Sequence, residues 1–254
     1  MTEDSRLKTI AIANQKGGVG KSTTALLLGE GLKKRGRRVL LIDLDAQGNL
    51  TDSLDVGGAN EGGTAALFDT SLSLPGEIVS TPRGDILPAN PFIIDINLAP
   101  GKINSLRASL ETVRDNYDYC IIDTPPGLGV LLMSALIAAD SVIIPILAEP
   151  YTLKGLMQIV DTINTVRIQT NSGLKIDGLL LTRYSPRTVL NRQLAEEYKA
   201  YAESIGTRLY QSFIRDGIAL REAQIKHISL YDYAPRATVT KDYTTFTEEF
   251  ISHE

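Results

Sequence analysis

The chain is poor in the residues that would build a disulfide, a metal cluster or a membrane span. Its single cysteine, Cys120, excludes an intrachain disulfide and a cysteine cluster for metal within one chain. Cys120 stands in an apolar run and reads as core, and a reducing cytoplasm is the expected compartment. The two histidines, His227 and His253, are too few and too far apart for a histidine metal site, and both are expected at the surface. No apolar run approaches the roughly 18–20 residues that cross a bilayer. The opening Met1-Thr2-Glu3-Asp4-Ser5-Arg6 is polar and acidic, unlike a signal peptide. A basic excess is also missing. The net charge of −4 excludes a uniformly basic nucleic-acid coat but leaves room for a local basic patch. The tyrosines are scattered and form no clustered, self-phosphorylating tail.

What is present is a chain of 254 residues, long enough for one large domain. Short β-rich runs alternate with longer amphipathic stretches. Strands are predicted at Leu7–Asn14, Arg38–Asp43, Tyr117–Asp123, Ser141–Leu147, Leu174–Thr182 and Thr207–Ile214. Helices are predicted over 21–35, ended by Gly36, and over 128–139, 152–170, 188–205 and 241–252. The helix at 152–170 has its apolar positions at Leu153, Leu156, Ile159, Val160, Ile163 and Val166, a 3–4 spacing. Such alternation implies an α/β fold, a mostly parallel central sheet covered by helices on both faces. The stretch 51–116 is rich in glycine and proline. It reads as an irregular, insertion-like segment with a short helix near 64–70 and a short strand near 83–88. No linker divides the chain, so residues 1–254 are expected to form one domain.

The first strand runs into Gln15-Lys16-Gly17-Gly18-Val19-Gly20-Lys21-Ser22-Thr23 and then a helix, the context a phosphate loop requires. Glycines let the backbone turn tightly and aim successive N–H groups at phosphate oxygens. The helix N-terminus adds partial positive charge. In this pattern Gly17, Gly18, Val19, Gly20, Lys21, Ser22 and Thr23 cradle the phosphates of ATP. Lys21 reaches the β- and γ-phosphates, and the Ser22 hydroxyl ligates Mg²⁺. The usual first glycine is replaced by Gln15, and Lys16 is an added cation. Two strands end in acid. Ile121-Ile122-Asp123 looks like a Walker B strand, with Asp123 holding Mg²⁺ through water. In Leu41-Ile42-Asp43-Leu44-Asp45, Asp43 and Asp45 share a face by the period-two rule if the strand extends that far, and Asp43 is a further candidate for the metal. In open parallel sheets ligands bind where the strands' carboxyl ends lie.

On these three motifs, together with a weaker Leu220-Arg221-Glu222-Ala223, the sequence resembles the ParA/MinD group of deviant Walker-A ATPases, most closely the ParA (Soj-like) partition ATPases. The resemblance covers nearly the whole chain and implies a three-layer α/β/α fold of the P-loop NTPase type. It also implies catalytic roles. Lys16 matches the signature lysine that contacts phosphate across a nucleotide-sandwich dimer. Lys21 and Ser22 match the in-chain phosphate and magnesium residues, Asp45 the aspartate that positions the hydrolytic water, and Asp123 the Walker B acid. Family members dimerise on Mg-ATP, bind DNA without sequence preference, and hydrolyse ATP slowly until a ParB-type partner stimulates them. They thereby segregate plasmids or chromosomes in a cytoplasmic, nucleoid-associated setting. A related class positions a protein complex or organelle instead. Ala46 stands where proline is common in the family, and Ala219 where an arginine is frequent. Arg183-Tyr184 follow a strand where MinD relatives show asparagine, which leaves the adenine contacts open.

For DNA, the candidates are Arg187, in the place where relatives carry a DNA-contacting arginine, and Arg215, Arg221 and Lys226. Several cations on one surface are what counterion displacement needs. The run Lys33-Lys34-Arg35-Gly36-Arg37-Arg38 is more conspicuous, but it sits at a helix C-terminus, where cations offset the dipole. The closing residues 242–251 are acidic and weakly amphipathic, unlike a basic membrane-binding helix, so no membrane partner is expected. With few residues before Leu7, a separate operator-binding domain is not expected.

Overall fold

A computed structural model describes residues 7–58, 62–68, 74–93 and 102–253. Its centre is a seven-stranded sheet in the order β3-β4-β2-β5-β1-β6-β7. The strands are β1 (Lys8–Ile12), β2 (Val39–Asp43), β3 (Val79–Thr81), β4 (Gly84–Leu87), β5 (Tyr119–Asp123), β6 (Ser141–Leu147) and β7 (Lys175–Thr182). All neighbours pair in parallel except β3, which runs antiparallel to β4. Every residue of β2 and β5 is buried, which is why these strands read as unbroken apolar runs rather than alternating ones.

The period of two still sorts the two faces. Ile10, Ile12, Leu41 and Ile121 belong to one core, shared with the helices α1 (Lys21–Lys33), α8 (Ile218–Ile225) and α10 (Thr238–Ser252). Ala11, Ala13, Leu40, Ile42, Cys120 and Ile122 point the other way. They meet α4 (Ser105–Glu111), α5 (Val130–Ala138), α6 (Thr152–Gln169) and α7 (Val189–Ser204). The result is the expected three-layer α/β/α arrangement. Cys120 is fully buried, as its apolar surroundings predict. Helix α1 is covered on nearly every side. Its Gly29 lets it lie close on the sheet, since a Cβ there would stand 2.7 Å from Leu41 Cδ2.

Some elements differ from the expectation. The run Thr207–Ile214 is not a regular strand but an extended segment that meets β7 at its two ends, by the bridge of Leu179 to Leu209 and by the Ile214 amide donating to Leu181 O at 2.8 Å. The physical reason is a competing acceptor. The Gln211 and Ser212 amides both donate to the Glu249 carboxylate of α10, each at 2.7 Å, instead of entering a ladder. The closing helix starts at Thr238 rather than 241. The helix expected near 64–70 is a 3-10 turn at Gly63–Leu67, with residues 69 and 70 outside the described residues. The strand near 83–88 is β4, and β3 beside it was not foreseen. Neither were the helices α2 (Asn49–Ser53), α3 (Leu74–Glu77), α4, α8 and α9 (Leu230–Tyr233). His227 is half-buried rather than on the surface, and its Nδ1 lies 2.8 Å from the Asp52 carbonyl. Among the described residues no helix is long and apolar enough to cross a membrane.

Candidate functional site

Sheet register assembles the site. β5 lies between β2 and β1, pairing Asp123 with Asp43 on one side and with Ile12 on the other. Two buried aspartates therefore stand side by side at the carboxyl edge, next to the strand that feeds the glycine-rich loop.

The loop is held by its carbonyls. Gln15 O accepts from the Gly127 amide at 3.0 Å. Lys16 O accepts from Lys21 Nζ at 3.1 Å, and Val19 O from Thr182 Oγ1 at 2.8 Å. Asn14 fixes the entry, its Oδ1 accepting from the Lys16 amide at 2.9 Å and its Nδ2 donating to Pro145 O at 2.7 Å. Gly18 and Gly20 adopt φ of 73° and 87°, the left-handed region that favours glycine. No described residue offers an acceptor to the amides of residues 17–23; the first bonded amide in the helix is Thr24, on Gly20 O. A run of unpaired N–H groups at the start of a buried helix is an anion site.

The four acid and base groups at this edge have different partners. Asp43 is fully buried, and both its oxygens accept: Thr51 N and Thr51 Oγ1 donate to Oδ2, each at 2.8 Å, and Asp45 N to Oδ1 at 3.2 Å. Burial raises its pKa to about 6 against these donors. Asp43 thus anchors α2 and the loop before it, and its Oδ1, with a single bond at 3.2 Å, keeps acceptor capacity, so Asp43 stays a candidate for the metal. Asp45 accepts from the Gln47 amide at 3.0 Å and borders the cleft. Asp123 is fully buried, and no hydrogen bond of ordinary geometry saturates either of its oxygens. Burial, then the Asp43 charge beside it, lifts its pKa well above the usual carboxylate range, while the Ser22 hydroxyl and Lys21 oppose the shift. Lys21 is itself buried; burial lowers its pKa, and Asp123 and Asp45 pull it back up.

An orphaned carboxylate beside a hydroxyl and a helix N-terminus fits Mg²⁺. That ion keeps several waters and takes one or two protein oxygens plus phosphate oxygens, rather than a full protein cage. Among the described residues no group of three or more His, Cys, Asp or Glu side chains is placed to hold a metal, and Ser22 and Asp123 could supply the protein's part of such a shell.

The loop opens onto a cleft of about 750 Å³, a size suited to a nucleotide. Gly17, Gly18, Gly20, Lys21, Ser22 and Thr23 line one end, and Arg183, Ile214, Arg215, Leu220, Arg221 and Ile225 are among those lining the rest. Thr23 Oγ1 accepts from Gln224 Nε2 at 3.3 Å, which ties α8 to the loop. Lys16 is not part of this lining. Its Nζ is 2.6 Å from Glu149 Oε2 on the outer side, and its side chain is 49% exposed.

Of the DNA candidates, Arg215 and Arg221 are on the cleft wall and Lys226 directly follows α8, its Nζ lying 5.0 Å from the Tyr233 ring centre. Arg215 is committed to Asp242, with Nε 2.9 Å from Oδ2 and Nη2 on Oδ1. Arg221 lies 3.8 Å from Asp216. Arg187 is exposed in the loop before α7, apart from the cleft lining. Sequence reasoning missed Asn14, Thr51, Thr182 and Glu149. The first and third carry a legible signal, a polar residue at the carboxyl end of an apolar strand.

This fold and edge define a P-loop nucleotide-binding protein. A protein-family model described as an AAA domain matches residues 7–176. The chain is 39% identical to the sporulation initiation inhibitor protein Soj of Bacillus subtilis, over 97% of this chain and 99% of that one. It is 37% identical to the chromosome partitioning protein ParA of Caulobacter vibrioides, over 98% and 95%. A solved structure of a Mycobacterium smegmatis protein described as cobyrinic acid a,c-diamide synthase, with bound ATP analog and magnesium, superposes with a TM-score of 0.81 at 30% identity, over 97% and 95%. The chain belongs to the ParA/Soj family of ATPases.

Proposed function

We propose that the protein is a DNA partition ATPase whose Mg-ATP form is a sandwich dimer of two such domains. The protein is an ATPase that uses ATP and Mg²⁺. The finer reading rests on one observation: Lys16 lies outside its own cleft, with its ammonium on the exposed side of the loop. Lys21 already serves the phosphates from within. A second lysine turned outward is placed to reach the phosphates of a facing copy, where two charged triphosphates need a cation from each side. Because the dimer alone completes the site, triphosphate binding and dimerisation are linked.

In the dimer the amides of residues 17–23 hold the phosphates, while Lys21 and the partner's Lys16 neutralise charge that develops on the leaving oxygen. Asp45 orients water in line with the γ-phosphorus. The new P–O bond forms as the bond to the β–γ bridging oxygen breaks, giving ADP and phosphate. Ser22 and Asp123 hold the metal, which supplies further charge neutralisation. Arg187, Arg215, Arg221 and Lys226, doubled in the dimer, supply the DNA contacts, and a ParB-type protein accelerates hydrolysis at the nucleoid.

The test is gel filtration of Asp45→Ala with and without ATP, followed by binding to arbitrary duplex DNA. An ATP-dependent dimer that binds DNA in a salt-sensitive way is expected. The absence of such a dimer sinks the sandwich. A dimer that ignores DNA at ~50 mM salt, where phosphate-driven binding is strong, transfers the reading to an ATPase positioning a protein cargo.

A further inference from the structure

The Lys16–Glu149 pair joins the glycine-rich loop to the turn after β6. Glu149 lies in the turn between β6 and α6, and that turn is anchored from three directions. Its own amide donates to Leu147 O at 2.9 Å. Its carbonyl accepts from the hydroxyl of buried Tyr198 in α7 at 2.9 Å and from the Thr152 amide at 3.3 Å. The carboxylate is therefore presented from a fixed backbone, with its Oε2 2.6 Å from Lys16 Nζ. Asn14 fixes the Lys16 backbone from the other side. Both ends of the ion pair are thus set by bonds that do not involve nucleotide.

We infer that Glu149 is a positioning residue that parks Lys16, and that the lysine must leave this carboxylate to reach phosphate on a facing protomer. This rests on the sandwich reading. The exchange is of like for like, one oxyanion for another, so parking costs little yet sets a threshold. A free chain does not present an open ammonium to solvent anions, and only a triphosphate held by a second protomer draws the lysine away.

The experiment compares Glu149→Gln with the unaltered chain, both carrying Asp45→Ala, by measuring dimer fraction against ATP concentration. An exposed ion pair is a weak restraint, so the half-saturating ATP concentration should fall by about two- to fivefold in the Gln variant. Nucleotide affinity of dilute monomer, read with a fluorescent ATP analogue, should not change, and at ~1 M salt, where screening acts within about 3 Å, the two curves should converge. In the otherwise unaltered enzyme, Glu149→Gln should lower the apparent KM with kcat retained. An unchanged or raised ATP requirement overturns the inference, as does a difference that persists at high salt. If the Asp45→Ala chain itself forms no ATP-dependent dimer, the sandwich reading fails instead, and the two failures are told apart.

Discussion

Arg83, in the turn between β3 and β4, offers a severe test of how the catalytic edge is braced. Its Nε is 2.6 Å from Glu30 Oε1 inside α1, and its Nη1 donates to the carbonyls of Ser53 and His227, the latter at 3.3 Å. The side chains of Arg83 and Glu30 are 14% and 3% exposed. Glu30 also accepts from Ser229 Oγ at 2.5 Å. One guanidinium therefore joins the phosphate helix, the end of α2 behind Asp45 and the loop after α8. Replacing it by methionine keeps the bulk and leaves a buried carboxylate with no cation. That costs roughly 3–5 kcal/mol, or about 6–20 °C in Tm for a chain of this size at ~2–4 °C per kcal/mol. The double variant Glu30→Met/Arg83→Met removes the stranded charge. It should recover most of the loss, because an apolar pair commonly replaces a buried ion pair at little cost. Urea unfolding of the three proteins is the assay. An Arg83→Met loss below ~1 kcal/mol, or a double variant no better than the single, would refute the reasoning.

Other outcomes follow from the same contacts. Burial raises the Glu30 pKa despite Arg83 and Ser229. Its contribution is then complete below the ordinary glutamate value of about 4.3 and is lost as pH rises through the raised one. Urea midpoints should show unaltered protein losing stability relative to Glu30→Gln across that window, and a pH-independent difference would count against it. Thr182→Val deletes the donor to Val19 O and should cost about 1–3 kcal/mol, with a raised KM for ATP in steady-state assays. Gly29→Ala sets a Cβ 2.7 Å from Leu41 Cδ2 and should lower stability in thermal melts by about 1–2 kcal/mol, although alanine is the better helix former.

The phosphate loop, the buried strands and the two acid-ended strands were legible because each is a local signal. A strand that turns at glycines into a helix is written in consecutive residues, and full burial is written in apolar runs such as Val39–Ile42. What was not legible depends on partners far along the chain. The 207–214 segment has strand-like composition, and Glu249, nearly forty residues later, diverts the two amides at its middle, Gln211 and Ser212. Helix α2 escaped notice because Asp43, across the turn, holds its Thr51 amide and hydroxyl. The Glu149 contact spans 133 residues and has no local pattern at all. The contact of Arg215 with Asp242 in α10 likewise has no local pattern.

Asp43 and Asp123 are adjacent in the sheet and equally buried, so sequence spacing alone offered both as metal residues. Their hydrogen bonds separate them. Asp43 accepts from three donors that shape the Asp45 loop, so it holds the loop in place. Asparagine there keeps one oxygen for Thr51 but meets the Asp45 amide with an NH₂ or loses Thr51 instead. Asp43→Asn should therefore lose roughly 1–3 kcal/mol from an unpaired buried group and slow hydrolysis through a displaced Asp45. Asp123 is held by no backbone amide, and its neighbours are the Ser22 hydroxyl and Lys21 of the phosphate loop rather than groups that brace the fold. Asp123→Asn should fold with stability equal to or above that of the unaltered protein, as expected where a site holds a charge at the expense of the fold. The difference appears when ligand is added. A ligand at ~100 times its Kd stabilises by about 2.7 kcal/mol, and Mg-ATP should raise the melting temperature of Asp43→Asn while raising that of Asp123→Asn far less than ATP with Mg²⁺ raises the unaltered chain's. Equal ligand shifts in the two variants would mean that the metal does not depend on Asp123, and the assignment of the two aspartates would have to be exchanged or abandoned.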